Sequence, residues 1–194
     1  MRCIALLNGL CGASLGALGT LAVLLLSACS PSLNWRETRI ADTDLAAMMP
    51  CKPAHHQRTV PLAGLTVTLQ MTACDAAGAT FAIAHTSIPD SSAAPRVLAE
   101  WRKSTLSNMN AKSVRESRDA AESFASASSS TTPPGASLLA IAQGQRGDGS
   151  AVTLHGVWFA RGAQVFHAAV YAPTQAGNVT TEMTEPFFSG LKFQ

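Results

Sequence analysis

The sequence predicts an α+β fold, in which a single domain with an antiparallel β-sheet and two main helices follows an N-terminal signal peptide. Three observations lead to this class. Several segments alternate apolar and polar residues with a period of two, and two others place apolar residues three and four positions apart. The segments also follow the order strands, helix, strands, helix, and short glycine-containing turns join successive strands, which favours antiparallel pairing.

Two strands near the middle of the chain carry the clearest alternation. In residues 65–71 every second side chain is Leu, Val or Met, and the side chains between them are Thr or Gln. Residues 80–85 alternate in the same way, and the turn at 75–78 between the two segments predicts a hairpin. Weaker patterns predict strands at 35–40 and 58–62.

Three further strands are predicted in the second half of the chain. They occupy residues 137–143, 151–160 and 163–172, where apolar residues again dominate alternate positions. A glycine-rich turn at 144–150 and a tight turn at 161–162 separate them.

Two segments predict the main helices. Apolar residues recur at spacings of three and four in residues 95–109, which predicts an amphipathic helix with a serine cap at 91 or 92. Residues 180–191 predict the second helix, whose Phe187 and Phe188 would pack inward. We expect both helices to cover one face of the sheet.

Two other segments are expected to lack long regular structure. In residues 42–49, an Asp-Thr-Asp cap before an apolar stretch predicts a short helical turn, which Pro50 would end. Residues 113–136 lose their periodicity, and the Ser, Thr, Ala and Pro residues near 119–136 predict an exposed flexible loop.

The first 28 residues have the pattern of an export signal. Arg2 is followed by an apolar stretch that ends in small residues, which is typical of a secretory signal peptide. An uncleaved transmembrane anchor is the alternative, because the stretch approaches the ~20 residues that span a bilayer. Asn8 and the glycines at 9, 12, 16 and 19 interrupt that stretch, which favours cleavage.

The end of this segment, Leu26-Ser27-Ala28-Cys29, resembles the lipobox of bacterial lipoproteins. The resemblance implies a lipoprotein signal peptide over 1–28, acylation of Cys29 with chains such as palmitate, and a short tether over 29–34. A periplasmic α+β domain would then cover 35–194. Ser30 after the lipidated cysteine differs from the aspartate of an inner-membrane retention signal, which favours the outer membrane.

Charge and cysteine content narrow the possible partners and the compartment. The chain has 14 basic and 12 acidic residues, and loss of Arg2 with the signal brings the mature charge close to zero, which argues against nucleic-acid binding. Cleavage would leave three cysteines, of which Cys29 carries lipid. Cys51 and Cys74 would then form a disulfide in an oxidising compartment.

Several segments of the mature chain resemble a group of uncharacterised envelope lipoproteins of Gram-negative bacteria. They are Pro50-Cys51-Lys52-Pro53, Arg58-Thr59-Val60, Ala79-Thr80-Phe81-Ala82 and the closing Phe187-Phe188-Ser189-Gly190-Leu191. The group implies no known activity. The order of elements also resembles, loosely, the PsbP/Mog1-type sandwich, which implies a fold and no function.

No motif in the sequence indicates a reaction. There is neither a G-x-S-x-G serine motif nor a glycine-rich phosphate loop, so we expect no enzyme, no catalytic residues and no cofactor. Cys51 and Cys74 with His55 and His56 could instead form a zinc site, but their intervals differ from the usual paired spacing. An Asp42 and Asp44 pair suits a helix N-terminus better than a reaction.

A histidine pair is the speculative metal site. A three-residue loop at 160–162 would place His155 opposite His167 on adjacent strands, where the pair could bind a transition metal or sense acid pH. A two-residue turn would shift the register by one and put the histidines on opposite faces. Two imidazoles alone also make an incomplete metal site, so two histidines without a joint role are the alternative.

These observations together predict a lipid-anchored, non-enzymatic binding or accessory module at the periplasmic face of the outer membrane. Its expected partners are the membrane, through Cys29, and an envelope protein or the cell wall, with no nucleic acid. A small-ligand or metal-binding lipoprotein is the alternative.

Overall fold

Ten strands and two helices occupy residues 33–117, 138–174 and 181–194, which are the residues that the computed structural model describes. The predicted signal peptide, Cys29 and the loop near 119–136 lie outside these residues. The strands and helices are β1 (Arg36–Arg39), β2 (Leu45–Met49), β3 (Ala54–Leu62), β4 (Leu65–Ala76), β5 (Ala79–Ser87), α1 (Ala94–Asn108), β6 (Ser113–Ser117), β7 (Leu138–Gln145), β8 (Ala151–Arg161), β9 (Gln164–Pro173), α2 (Thr181–Ser189) and β10 (Lys192–Phe193).

A seven-stranded sheet forms the centre of the domain. Its strand order is β3-β4-β5-β9-β8-β7-β6, and every neighbouring pair is antiparallel. Two meanders, β3 to β5 and β6 to β9, are joined where β5 pairs with β9. A smaller sheet has the order β1-β2-β10. The predicted α+β class is therefore confirmed, with an antiparallel sheet and two helices in one domain.

The β4–β5 hairpin shows how local sequence sets this register. Ala76 pairs with Ala79, and the two residues of the turn, Ala77 and Gly78, have φ angles of 49° and 76°. Such a turn with two positive φ angles matches the twist of the flanking strands. The predicted alternation is confirmed at its start, since Val67 is buried while Thr66 and Thr68 are exposed. It is wrong at its end, where Met71 is 38% exposed and Thr72 is buried.

The two helices contribute to separate cores, so the expectation that both cover one face of the sheet is wrong. From α1, Val97 and Trp101 are buried in a cluster with Leu154 and Trp158 of β8. The other cluster contains Phe187 of α2. Along β8 and β9 the residues of the two clusters alternate, so each cluster belongs to a different face. Helix α1 therefore covers one face, and α2 with the smaller sheet covers the other.

Aromatic rings organise the core beside α2. Phe81 of β5 lies between Trp35 and Phe187, with ring centroids 5.8 and 5.5 Å away and steep angles between the planes. Edge-to-face contacts of this kind add to the gain from burial. Through these contacts, Trp35 near the start of the described chain and helix α2 both pack against β5.

The predicted helical turn at 42–49 is wrong, because residues 45–49 form strand β2. Arg39 pairs with Ala46, so the Asp-Thr-Asp segment closes a hairpin between β1 and β2. The Thr43 hydroxyl accepts a hydrogen bond from the Leu45 amide at 3.0 Å, as a helix cap would. Because the same residue types serve caps and turns, the local pattern could not separate the two structures.

The loss of periodicity from residue 113 onward does not mark the end of regular structure, while the predicted loop near 119–136 lies outside the described residues. Residues 113–117 form β6, the edge strand that pairs with β7. Its described side chains from Ser113 to Glu116 are all exposed. A strand with so little burial lacks the apolar alternation on which the sequence analysis depends.

Gly144 is packed so closely that we expect even a small side chain at this position to destabilise the fold. A Cβ atom there would lie 2.3 Å from the backbone oxygen of Met109, which also accepts a hydrogen bond from the Gln145 amide at 2.7 Å. We expect Gly144→Ala to lower the free energy of unfolding by about 1–3 kcal/mol, as overpacking does. Gly147→Ala is the control, since a Cβ atom at 147 meets nothing within 4 Å. Equal stability of the two variants in urea denaturation would contradict this account.

Candidate functional site

Cys51 and Cys74 form the predicted disulfide, with Cα atoms 6.0 Å apart. This pairing uses both sulfur atoms and leaves no thiolate for the alternative zinc site. His55 is engaged elsewhere, because its Nδ1 atom lies 3.1 Å from the Thr72 hydroxyl. The disulfide joins the segment before β3 to β4, and so it fixes the edge of the large sheet.

The lipidation residue Cys29 lies outside the described residues, so its acylation stays a prediction. Among residues 33–117, 138–174 and 181–194, no helix is both long and apolar enough to cross a membrane.

The histidine pairing is wrong, because β8 and β9 are joined by a two-residue turn. Arg161 pairs with Gln164, and Gly162 takes the first turn position at a φ angle of 57°. His155 therefore faces Val170, while His167 faces Trp158. The one-residue shift places the two imidazoles on opposite faces of the sheet.

His167 lies in the core on the α1 side, between two tryptophans. Its ring stacks on that of Trp158, with centroids 4.2 Å apart and planes at 8°. The Trp101 ring meets it at 71°, with centroids 5.8 Å apart. Gly156 leaves room for this stack, since a Cβ atom there would lie 2.9 Å from the Trp158 ring. His167 Nε2 and Trp158 Nε1 are buried without a hydrogen-bond partner among the described residues.

This burial controls the charge of His167. It lowers the pKa of the imidazole from its ordinary value of 6.5 to about 3, because a charged ring there would lose its hydration. The neutral form is therefore the stable one in the folded protein. His167 is a core residue, and its site is unsuited to metal capture because the tryptophans enclose it.

His155 and His85 are on the opposite face and are also partly desolvated. Burial lowers the pKa of His155, and the nearby Arg115 adds to that effect. Burial likewise lowers the pKa of His85, against the opposing field of Asp42. Within the described ranges, no three His, Cys, Asp or Glu residues form a group that could hold a metal ion.

Asp42 and Asp44 belong to the β1–β2 turn. Asp42 has a φ angle of 58°, and its carboxylate accepts a hydrogen bond from Gln70 Nε2 at 3.1 Å. Its backbone oxygen accepts another from Gln164 Nε2 at 2.9 Å. These contacts fasten the smaller sheet to the large one, which gives the acidic turn a structural role.

A cleft of about 450 Å³ lies beside the C-terminal end of α1. The last turn of the helix, the β7–β8 turn and the end of β9 all contribute to it. Its lining consists of Thr105, Asn108, Met109, Gln145, Arg146, Gly147, Val152 and Tyr171. Within the described part of the chain, Arg146 is the one charged side chain of this lining.

The polar groups of the cleft are suited to an anionic ligand. Arg146 is exposed, and its Nη2 atom donates to the Tyr171 backbone oxygen at 3.4 Å. Burial raises the pKa of the Tyr171 phenol to about 12, with Arg146 opposing the shift, so the hydroxyl stays protonated. The amides of Asn108 and Gln145 provide further donors, and Met109 and Val152 form an apolar wall.

No sequence pattern indicates this cleft. Residues 144–150 have the composition of an ordinary turn, and Tyr171 is one residue of a predicted strand. The signal that could have found the cleft is topological, since antiparallel pairing of β7, β8 and β9 brings Arg146 and Tyr171 to the same end of the sheet.

Comparison with known proteins adds no function. No protein-family model and no curated protein sequence matches the chain. A solved Pseudomonas aeruginosa protein of unknown function is 14% identical and aligns with a TM-score of 0.34, covering 78% of this chain and 89% of its own.

Proposed function

We propose that the protein is a lipid-anchored envelope module, attached through Cys29 to the periplasmic face of the outer membrane, where it binds a partner without catalysing a reaction. The lipobox sequence before Cys29 supports the anchor and the location. The Cys51–Cys74 disulfide supports export, because such bonds persist in oxidising compartments.

The exposed edge strand β3 is the observation that supports a binding role. Its first six residues, from Ala54 to Thr59, are all exposed, and among the described residues β4 is its one neighbour in the sheet. A free strand edge offers backbone donors and acceptors to an extended segment of another protein. The disulfide just before β3 holds the strand in place, which lowers the entropic cost of binding.

Charge indicates which kind of segment fits this edge. Residues 52–62 contain Lys52 and Arg58, together with two histidines, and no acidic residue. Pro61 near the end of β3 lacks an amide hydrogen and limits pairing there, as edge prolines do. The partner that fits is an envelope protein with an extended acidic segment, which would pair with the first six residues of the strand.

Site-specific photocrosslinking in intact envelopes tests this proposal. A photoreactive residue at Gln57 is expected to give a discrete crosslinked protein adduct, and one at Lys103 on the exposed surface of α1 is the control. A charge reversal, Arg58→Glu, is expected to reduce the Gln57 adduct. Equal adducts at both positions, or none at Gln57, would contradict binding through β3.

The alternative function is a small-ligand-binding lipoprotein, and the Arg146 cleft is the observation that favours it. The cleft combines one cation, two amides and an apolar wall, which is a common composition for a ligand site. Calorimetric titration with small anions would test this candidate, and unchanged heats in Arg146→Gln would count against it.

A further inference from the structure

The proposed lipid anchor determines which end of the domain faces the membrane. Leu33 follows Cys29 by four residues, which span at most about 14 Å when extended. The next residue, Asn34, donates its amide to the Pro50 oxygen at 2.7 Å. Pro50 precedes Cys51, whose disulfide partner Cys74 pairs with Phe81 near the β4–β5 turn. The chain therefore enters the domain at the end of the large sheet that holds this turn.

The Arg146 cleft lies at that same end. Thr80, the second residue of β5, pairs with Tyr171 near the end of β9. Ala151 at the start of β8 pairs with Gln145, so Arg146 begins the turn beyond them. Four strand spacings separate β4 from β7, which corresponds to about 19 Å across the sheet. The point where the chain enters the domain and the Arg146 cleft are therefore close enough for both to contact a bilayer at this end of the domain.

The charges at this end suit a phosphate-rich surface. Lys52, Lys112 and Arg146 lie in its loops and turns, and Arg36 begins β1. Two acidic residues of this end, Asp75 and Asp148, oppose these four positive charges, and Asp148 interacts electrostatically with Arg146 in the same turn. Both carboxylates also accept hydrogen bonds within the protein. Asp75 accepts one from the Thr80 hydroxyl at 2.6 Å, and Asp148 accepts from the amide and the hydroxyl of Ser150 at 2.9 and 2.6 Å.

We propose that the Arg146 cleft binds the phosphate of a membrane phospholipid headgroup when the lipid anchor holds this end of the sheet against the bilayer. Arg146 provides the charge, the Asn108 and Gln145 amides provide neutral donors, and Met109 lies beside the glycerol and the first methylenes. This proposal rests on the proposed anchoring at Cys29 and names the ligand class of the cleft.

Fluorescence quenching in vesicles tests the proposal with the acylated protein itself. Gly147→Cys supplies a labelling site at the rim of the cleft, where a Cβ atom meets nothing within 4 Å. Ser91→Cys is the matched position, since this exposed residue follows β5 at the opposite end of the sheet. Vesicles of phosphatidylglycerol that contain a lipid with a quencher on its headgroup are expected to quench the fluorescence of the label at 147. The fluorescence of the label at 91 is expected to stay unquenched.

Charge variants then identify the group responsible. Arg146→Gln is expected to weaken the quenched state at 147 about fivefold, the effect of one basic residue at an anionic membrane surface. Arg96→Gln is the control, because Arg96 donates to the Ala63 oxygen in the β3–β4 turn at the opposite end. Equal quenching at 147 and 91, or equal quenching with and without Arg146, would overturn the proposal.

A soluble probe separates the two sources of phosphate. Glycerol 3-phosphate added to the detergent-solubilised lipoprotein should change the fluorescence at 147 only weakly. Strong binding of this probe without quenching in vesicles would assign the cleft to a free phosphate ester and overturn the membrane source. Intact mass of the same sample reports acylation, so failure of the anchor is distinguished from failure of the cleft.

Discussion

Reduction of the Cys51–Cys74 disulfide is expected to lower the free energy of unfolding by about 3–4 kcal/mol. The bond spans 23 residues, and its loss returns conformational entropy to the unfolded chain on the loop-closure model. It also frees the segment before β3, because the described structure attaches that segment to β4 through Cys74. Denaturation in urea with and without a thiol reductant measures the change.

The double variant Cys51→Ala/Cys74→Ala provides the control for this experiment. We expect it to match the reduced wild type in stability and to show no response to the reductant. A reductant effect of equal size in the double variant would show that the loss has another origin. An unchanged wild type would show that the disulfide adds nothing to stability.

Acidification is expected to destabilise the domain through His167. The pKa of this group is about 3 in the folded protein and near its ordinary value of 6.5 in the unfolded chain. Between pH 6.5 and 3 the imidazole is protonated in the unfolded state and neutral in the folded state. The contribution of His167 to the free energy of unfolding is therefore fully present above pH 6.5 and decreases as the pH falls toward 3. At pH 4.5 the loss from this group is about 2–3 kcal/mol, at 1.36 kcal/mol for each pH unit below 6.5.

His167→Phe isolates this contribution because it keeps a flat ring against Trp158 and removes the titrating nitrogen atoms. The variant is expected to lose less stability than the wild type between pH 6.5 and 4.5. His56→Gln on the exposed β3 should behave as the wild type does. If the Phe variant fails to fold, the imidazole proton resonances of His167 in the wild type provide the test, since titration near pH 6 would contradict the assigned burial.

The sequence predicts most of this fold because its strongest signals are local. Alternation at 65–71 and the helical spacing at 95–109 both report a half-buried surface, and the structure has β4 and α1 there. The disulfide follows from counting the cysteines that would remain after removal of the predicted signal peptide. The strand and helix patterns depend only on neighbours along the chain, and the disulfide depends only on a count. None of the three predictions requires knowledge of the tertiary packing.

The errors arise where a local pattern is compatible with two structures. Asp-Thr-Asp before Leu45 suits a helix cap and a hairpin turn equally well, so β2 was not separable from a helical turn. The β8–β9 turn differs by one residue from the loop that the sequence suggests, and that difference reverses the relation of His155 and His167. Sheet pairing decides both cases.

The candidate cleft could not be predicted from the sequence for a different reason. Its lining comes from α1, the β7–β8 turn and β9, which are separated along the chain by more residues than any short motif covers. Arg146 is distinguished only by the position of its turn in the sheet. A site made by topology in this way has no contiguous sequence signature.

The central claim is that the mature protein begins at an acylated Cys29. Intact-mass measurement of the protein purified from its native membrane tests it most directly, with Cys29→Ser expressed in the same cells as the control. The account predicts a chain that lacks residues 1–28 and carries the added mass of acyl chains on Cys29, while Cys29→Ser keeps its signal segment or lacks acyl mass. A native protein without acyl mass, or one that retains residues 1–28, would contradict it.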